Sequence, residues 1–457
     1  MLRCMDEKKT ALFESTPIPK AVATLAVPSV LGTLVMILYN MADTYFVGML
    51  NNAVETAAVS LAAPMLLAFN AINNLFGVGG SSMMSRSLGK KEYDTVKKTA
   101  AFCFYLATLC GVLISIAYAL FKLPFLNLLG ADDITREPTH RYLFWTVTCG
   151  AAPAILNVVL SNMVRSEGES MHASIGVMSG CILNMILDPF FILPEFLDMG
   201  AAGAGLATFI SNCAATLYLL TYIFIHRKTT CVSLSPRQFT FRRDIAREVF
   251  SVGVPASIQN LLNVTGTLIL NNLTAGFGAA AVSAMGISHK INMMPLYFSM
   301  GAAQGVMPLI SYNYASGDRK RMKDAIMFIL KLTVGITLTL AAAFFIFSSS
   351  LIRMFMTDAE IVAHGSILLR AMSLGIPFLA IDFCAVAVFQ AVGKGSYSLV
   401  FAILRKIVLE IPAILLLNHL YPLYGMGYSQ AVAEFILSVA SIFMLRKIIR
   451  EKTPAKD

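Results

Sequence analysis

Five acidic residues interrupt apolar stretches of this 457-residue chain that are long enough to cross a lipid bilayer. An ionised side chain inside a bilayer is costly, so such residues usually face a polar cavity and take part in function. Carboxyl groups in that setting bind protons or hard metal cations. The five residues are Asp43, Asp188, Asp382, Glu410 and Glu434.

Asn184 precedes Asp188 by four residues, so a helix would present both side chains on one face. With Asp43 and Thr208 they supply carboxylate, amide and hydroxyl oxygens, a ligand set suited to Na⁺ or to a proton. We expect no other metal site. The same residues also fit plainer roles: Asp43 and Asp188 as charges at outer helix ends, and Asn184 and Thr208 as structural polar residues.

In the second half of the chain, Asp382 is the deepest acidic residue, and Lys290 could serve as its counter-charge. Such a neutralised pair fits a structural role as well as a role in coupling or substrate contact. Glu410 lies about one helical turn from Arg405 and Lys406, which indicates a paired or solvated residue at the cytoplasmic end of a helix. For Glu434, in the middle of an apolar stretch, we expect interhelical hydrogen bonding.

The overall composition supports a membrane setting for these residues. Hydrophobic residues make up 57% of the chain and charged residues 13%, against roughly 25% charged in soluble domains. This balance excludes a soluble enzyme, a nucleic-acid-binding protein and a disordered scaffold. The eight cysteines show no CxxC pair, which argues against a disulfide framework or a zinc site. No cofactor is expected apart from a coupling ion.

The apolar stretches predict an all-α, polytopic membrane protein with twelve transmembrane helices. A polar stretch separates the sixth from the seventh. The predicted spans are residues 21–49, 55–84, 99–121, 142–164, 171–193, 200–225, 249–275, 279–313, 325–347, 362–391, 397–418 and 425–445.

The basic residues indicate the orientation of these spans. With the N-terminus inside, 29 of the 35 lysines and arginines lie in segments on the inner side and five lie in outer loops. Cytoplasmic segments carry such an excess of basic residues, so both termini should be cytoplasmic. Charged residues precede the first apolar stretch, so we expect it to remain as a span and not to be a cleaved signal peptide.

The second half of the sequence repeats the first. Residues 26–29 resemble 253–256, and two further loop segments match at offsets between 225 and 228 residues. Six spans per half give both halves the same orientation, so we expect two six-helix lobes related by a pseudo-two-fold axis along the membrane normal. Pro28 and Pro255 occupy equivalent places and are candidate hinges, or simply tolerated kinks.

These boundaries give the predicted domain organisation. It consists of a cytoplasmic tail (1–20), an N-lobe (21–225), a cytoplasmic linker (226–247), a C-lobe (248–446) and a second cytoplasmic tail (447–457).

Four short motifs resemble the multidrug and toxic compound extrusion (MATE) family, in the bacterial MepA-like and DinF-like group. They occur in the family's order and spacing, and the resemblance covers roughly residues 20 to 450. The motifs are residues 43–48, 75–79, 183–189 and 203–208.

The resemblance implies a twelve-helix, two-lobe, V-shaped antiporter. In that family an N-lobe cluster binds the cation or proton, and Asp43, Asn184, Asp188 and Thr208 match it position by position. Some members also use a C-lobe glutamate in span seven with an aspartate in span ten. Asp382 matches that aspartate, but Asn263 stands at the position of the glutamate. This difference favours the N-lobe cluster as the cation site.

The resulting prediction is a secondary active multidrug efflux antiporter. It would export lipophilic or cationic compounds by alternating access in exchange for Na⁺ or H⁺, and so contribute to antibiotic resistance. One alternative is a flippase for lipid-linked oligosaccharides or lipids from the same superfamily. A membrane-embedded enzyme is disfavoured because HExxH and GxSG motifs are absent from the sequence. A primary pump is disfavoured by the absence of a Walker A loop.

The partners follow from this prediction. We expect small lipophilic or cationic substrates, contact with membrane lipid, no nucleic acid, and a monomer in the bacterial cytoplasmic membrane.

Overall fold

The computed structural model describes Met5, residues 7–50 and residues 52–451. These residues form helices joined by turns and loops, and no β-strand occurs among them. Helices suit these apolar stretches because a helix satisfies its backbone hydrogen bonds within one segment, as lipid requires. The outermost residues of the two predicted tails and Asn51 lie outside the described part of the chain.

The first half of the chain forms ten α-helices within the described residues. Two π-helical segments continue the chain from α3 to α4 (Asn73–Val78) and from α7 towards α8 (Phe144–Cys149). The helices are α1 (Glu7–Glu14), α2 (Ile18–Met49), α3 (Ala53–Ile72), α4 (Gly79–Gly89), α5 (Tyr93–Leu120), α6 (Lys122–Leu128), α7 (Arg136–Leu143), α8 (Ala151–Ser166), α9 (Ser170–Ile192) and α10 (Ala201–Ile225).

The second half adds nine α-helices among the described residues. A short 3₁₀-helix (Pro236–Gln238) precedes them, and a π-helical segment (Leu404–Glu410) joins α17 to α18. The helices are α11 (Arg243–Ala275), α12 (Ala279–Ser316), α13 (Arg319–Ile346), α14 (Ser348–Arg353), α15 (Ala359–Ser373), α16 (Ile376–Ala391), α17 (Gly395–Ile403), α18 (Ile411–Leu420) and α19 (Tyr424–Arg450).

Helix length and composition support most of the predicted spans. Within the described residues, six helices are long and apolar enough to cross a membrane, and two bent helix pairs raise that number to eight. The other four predicted spans coincide with α11, α12, the continuous run from α17 to α18, and α19. Polar residues interrupt these helices more often, so their membrane character is less evident from composition alone.

The two bent pairs occupy equivalent places in the repeat. The helix break at Gly150 bends the chain by 50°, and the break at Gly375 bends it by 45°. A Cβ atom at Gly150 would lie 2.7 Å from the carbonyl oxygens of Trp145 and Thr146. A Cβ at Gly375 would lie 3.1 Å from the backbone of Ala431. Glycine therefore permits a close backbone approach at both bends, and their spacing agrees with the offset of the sequence repeat.

The chain divides into two compact units whose boundaries differ from the predicted lobes. One unit contains the residues up to Thr16 together with Leu31–Ser257, and the other contains Pro17–Val30 together with the residues from Ile258 onwards. The beginning of α2 therefore belongs with the second half, and the beginning of α11 belongs with the first. Pro28 and Pro255 lie in uninterrupted helices, within a turn of these two boundaries.

Close contacts at two glycines explain why the beginning of α2 belongs to the second unit and the beginning of α11 belongs to the first. In the second unit, a Cβ at Gly305 would lie 2.7 Å from the Cα atom of Ala26, so α12 contacts the beginning of α2 directly. In the first unit, a Cβ at Gly79 would overlap the carbonyl oxygen of Val249, so the beginning of α11 contacts α4 equally closely. The repeated sequence therefore repeats this contact as well.

The N-terminal helix is anchored to the first unit by a cluster that we call the N-terminal clasp: Lys9, Glu167, Thr230 and Cys231. The buried Glu167 carboxylate lies 3.5 Å from Lys9 Nζ. It also accepts hydrogen bonds from Thr230 Oγ1 at 2.7 Å and from the backbone N–H of Cys231. Every charge in the clasp therefore has a partner, as buried polar groups require.

Candidate functional site

Close packing of α9 against α10 positions the candidate site in the first unit. A Cβ at Gly176 would lie 2.8 Å from the Leu219 side chain, and one at Gly180 would lie 3.0 Å from Ala215. Small residues of this kind let membrane helices approach closely. As a result, Asn184 and Asp188 on α9 lie against α10 near Thr208, with Asp188 fully buried.

The amide of Asn184 links Asp188 to Thr208. With its NH₂ group towards Asp188, Asn184 donates to Asp188 Oδ2 at 2.9 Å and accepts from the backbone N–H of Thr208 at 3.0 Å. The reverse orientation gives a single 3.3 Å bond to Thr208 Oγ1. We assign the first orientation because it satisfies both ends of the amide. The predicted placement of Asn184 and Asp188 on one helix face agrees with this geometry.

Asp43 reaches the same place from α2. Helix α2 contacts α9 where a Cβ on Gly32 would lie 3.6 Å from Ser174, and both aspartates follow roughly three to four turns further along their helices. Asp43 is partly buried, and its carboxylate is close enough to that of Asp188 for their charges to interact. The structure thus brings together the four predicted residues, which we call the N-lobe acid cluster: Asp43, Asn184, Asp188 and Thr208.

Two tyrosines that the sequence did not single out join this cluster. The hydroxyl groups of Tyr39 and Thr208 are hydrogen-bonded, and Tyr39 lies near both carboxylates. Tyr142 is buried and also lies near Asp43 and Asp188. Tyr39 precedes Asp43 by four residues, so helical spacing could have found it. Tyr142 comes from a third helix, and no local pattern points to it.

The cluster carries two acids and only neutral polar neighbours. Within the described residues, no lysine or arginine forms an ion pair with Asp43 or Asp188. No group of three or more His, Cys, Asp or Glu side chains able to hold a metal occurs there either. A bound Na⁺ would therefore take its remaining ligands from the neutral oxygens of Asn184, Thr208 and Tyr39. A proton would need one carboxyl oxygen and one acceptor.

In the second unit, Asp382 belongs to a different kind of site. Ser441 Oγ donates to Asp382 Oδ1 at 2.6 Å, and the carboxyl groups of Asp382 and Glu434 are in direct contact. Arg405 Nη2 lies 2.5 Å from Glu434 Oε1. We call Asp382, Glu434 and Arg405 the acid–arginine group. All three side chains are buried.

This arrangement corrects the predicted partner of Asp382. Lys290 is exposed on α12 and forms no ion pair with Asp382 in the described structure, because Arg405 supplies the positive charge instead. The backbone carbonyl of Asn263 on α11 accepts a hydrogen bond from the Thr267 hydroxyl, and no contact between Asn263 and the group occurs among the described residues. Glu434 makes an interhelical contact as predicted, although the partner is a charged one.

Glu410 forms a separate pair close to this group. Lys406 Nζ lies 2.6 Å from Glu410 Oε1, one helical turn away, as the sequence indicated. A Cβ at Gly266 would lie 3.1 Å from Lys406 Nζ, so α11 closes over the pair. His289 faces the same two residues. The pair is balanced, with one acid for one base.

Comparisons with known proteins agree with this fold. The MatE family model matches residues 28–190 and 255–416, one segment in each half of the chain. The multidrug export protein MepA of Staphylococcus saprophyticus is 32% identical over 443 residues, which is 96% of each chain. MepA of Staphylococcus aureus is 30% identical over the same share.

Solved structures show the same fold. A crystal structure of a MATE protein in complex with MaL6 superposes with a TM-score of 0.91 at 24% identity, covering 97% of this chain and 99% of that one. An outward-facing multidrug resistance MATE transporter of the MOP superfamily gives the same TM-score and identity, over 97% of this chain and 98% of the other.

The fold and the repeated sequence define a multi-pass membrane protein with twelve transmembrane helices in two six-helix lobes. Its class is that of membrane transporters, not of enzymes. The chain belongs to the MatE family.

Proposed function

We propose that the protein is a secondary active multidrug efflux antiporter of the bacterial plasma membrane, with both termini cytoplasmic and the monomer as the transport unit. It exports lipophilic or cationic compounds in exchange for Na⁺ or H⁺. The observation that carries this proposal is the N-lobe acid cluster, in which Asp43 and Asp188 lie close enough for their charges to interact and have no basic partner among the described residues. The relatives named multidrug export protein MepA support the export of drugs over the transport of lipid-linked sugars.

The mechanism is alternating access driven by the cluster. Two carboxylates in one buried site repel each other, so a cation that enters from outside relieves the repulsion. Binding at Asp43 and Asp188 would draw α2 towards α9 and favour the conformation that releases substrate. Inward movement of one positive charge gains about 2.3 kcal/mol per 100 mV of membrane potential. At about 1.4 kcal/mol per factor of ten, one ion supports roughly fiftyfold accumulation.

Neutral variants of the two aspartates test the assignment. Asp43→Asn and Asp188→Asn should lower the initial rate of ethidium efflux from cells by about tenfold or more, because an amide carries no negative charge to attract a cation and does not take up a proton. Asp133→Asn is the matched control, since its side chain is 93% exposed in an outer loop. Unchanged efflux from both cluster variants at equal expression would overturn the assignment.

Reconstitution distinguishes the coupling ion. Purified protein is reconstituted in proteoliposomes, and a pH gradient and a Na⁺ gradient are imposed in separate experiments. One of the two gradients should drive substrate transport, and that gradient identifies the coupling ion. Transport that responds to neither gradient would contradict antiport.

A further inference from the structure

The acid–arginine group holds one more acid than base in a buried part of the second unit. Asp382 is 2% exposed and Glu434 is fully buried, while Arg405 is 6% exposed. With both carboxyl groups ionised, the group would carry a net negative charge away from water, which is energetically unfavourable. The neighbouring Lys406–Glu410 pair does not remove the excess, because each of its charges already has a partner.

The pattern of hydrogen bonds indicates where a positive charge that balances the excess acid would bind. Asp382 Oδ1 accepts from Ser441. Among the described residues no donor reaches Asp382 Oδ2 or Glu434 Oε2, and Glu434 Oε1 has only the ion pair with Arg405 Nη2. The two carboxyl groups nevertheless face each other directly. Two acceptors in contact need a proton between them, and a single proton on one carboxyl group would supply the donor.

Within the described part of the chain, the helices around the group offer no other base to balance the excess acid. Glu434 and Arg405 are the charged groups that act on Asp382, from α19 and from the π-helical segment. Arg405 in turn faces Glu434, Glu410 and Asp382. Helix α13 contributes the neutral Thr333, which contacts the Cys384 thiol on α16. His289 on α12 faces Lys406 and Glu410 instead.

The π-helical segment explains how Arg405 reaches this site. Arg405 and Lys406 are consecutive residues, yet both are buried and each pairs with a different acid. The wide turn of a π-helix changes the direction of neighbouring side chains, and such segments are frequent at functional sites. The Arg405 guanidinium also lies 5.2 Å from the centre of the Phe383 ring, which holds it beside Asp382.

A proton fits this site better than a metal cation does. Na⁺ needs several oxygen ligands and would be repelled by the guanidinium that lies 2.5 Å from Glu434. A proton needs only one carboxyl oxygen and the facing acceptor.

We propose that Asp382 and Glu434 form a proton-binding site in the C-lobe, in which the two carboxyl groups share one proton beside Arg405. The proton forms an O–H bond with one carboxyl oxygen and donates a hydrogen bond to the other carboxyl group. This site is distinct from the N-lobe acid cluster. It extends the proposed transport function, since a change of lobe conformation that separated the two carboxyl groups would release the proton to water.

Infrared spectroscopy of the purified full-length protein tests the site without requiring transport. A protonated carboxyl group gives a carbonyl stretching band that shifts in D₂O. Asp382→Asn and Glu434→Gln should each remove this band, because the remaining carboxylate then pairs with Arg405 and needs no proton. Asp324→Asn, at an exposed position on α13, is the matched control and should leave the band unchanged.

Ser441→Ala provides a second, milder variant in case the first two fail to fold. Loss of the 2.6 Å hydrogen bond to Asp382 should shift the band without removing it. A band that stays unchanged in all three variants would overturn the proposal, as would a band that Na⁺ removes. A band that behaves as expected in a protein that responds to neither ion gradient would support this site and contradict the antiport function.

Discussion

In the first half of the chain, Asp43 and Asp188 share a buried site with neutral oxygens, whereas in the second half Asp382 and Glu434 share one with a guanidinium group. The two halves repeat the same helices and even the same glycine bends, so the difference lies in the side chains. A fixed base competes with any metal cation for the carboxylates. From this comparison we expect the first site to be open to Na⁺ and the second to bind a proton only.

A third buried acid, Glu167, has hydrogen-bond and ion-pair partners for its carboxylate. Glu167 in the N-terminal clasp has the Lys9 ammonium group, a hydroxyl donor and a backbone N–H donor. Its oxygens need neither a cation nor a proton, and it serves as an anchor. The number of donors around a buried acid therefore distinguishes a structural acid from one that binds a cation or a proton. The partners of each acid can be changed by mutation independently of those of the others.

The largest effect is expected from giving the first site a base of its own. Asn184→Lys would place an ammonium group beside Asp188, as Arg405 stands beside Glu434. Efflux driven by an ion gradient in proteoliposomes should then fall to the level of protein-free vesicles, because the fixed charge replaces the coupling cation. Asn184→Ser keeps a neutral oxygen and should retain part of the activity. Full coupling in a well-folded Asn184→Lys protein would contradict the comparison.

The next largest effect is expected from removing the base of the second site. Arg405→Gln would leave two carboxyl groups without a cation, and breaking a buried ion pair costs about 3–5 kcal/mol. The midpoint of thermal unfolding in detergent should fall accordingly. Adding Glu434→Gln removes the stranded acid, so the double variant should be more stable than Arg405→Gln alone. A double variant of equal or lower stability would show that Glu434 is not the partner that matters.

Much of the fold could be predicted because the relevant signals are local. Apolar stretches located the helices, and repeated motifs indicated two equivalent halves, as the matching bends at Gly150 and Gly375 show. The exchange of the first helices could not be predicted. It depends on close approaches at Gly79 and Gly305 to segments more than 150 residues away, and a single sequence carries no signal of such tertiary contacts.

In the two sites, too, the local contacts could be predicted from the sequence and the long-range contacts could not. Helical spacing placed Asn184 with Asp188, and it could also have placed Tyr39 with Asp43. The pairing of Arg405 with Glu434 was missed because Arg405 was counted among the basic residues of the cytoplasmic side. Hydrogen bonding in the π-helical segment turns it inward, and a hydropathy pattern does not reveal that turn.

A smaller effect is expected at the clasp, which sharpens the contrast between an anchor and a binding site. Glu167→Gln keeps the shape of the side chain but removes one of the two carboxylate charges that face Lys9, the other being that of Glu169, at a cost of about 1–3 kcal/mol. Hydrogen exchange at the backbone of α1 should become faster by roughly tenfold, while coupled efflux is retained. Exchange measured by mass spectrometry checks the first expectation. Loss of coupling with unchanged exchange would assign Glu167 to transport.

The smallest effect is expected from removing one neutral oxygen of the first site. Tyr39→Phe loses the hydroxyl group that is bonded to Thr208 but keeps the ring and both carboxylates. A single hydrogen bond contributes about 1 kcal/mol, so the concentration of the coupling ion that gives half-maximal efflux should rise by roughly fivefold, with little change in maximal rate. The equivalent loss at the second site, Ser441→Ala, should leave that concentration unchanged, because Arg405 and the shared proton still satisfy the acids. Equal shifts from both variants would contradict the comparison, because they would show that the second site takes part equally in binding the coupling ion.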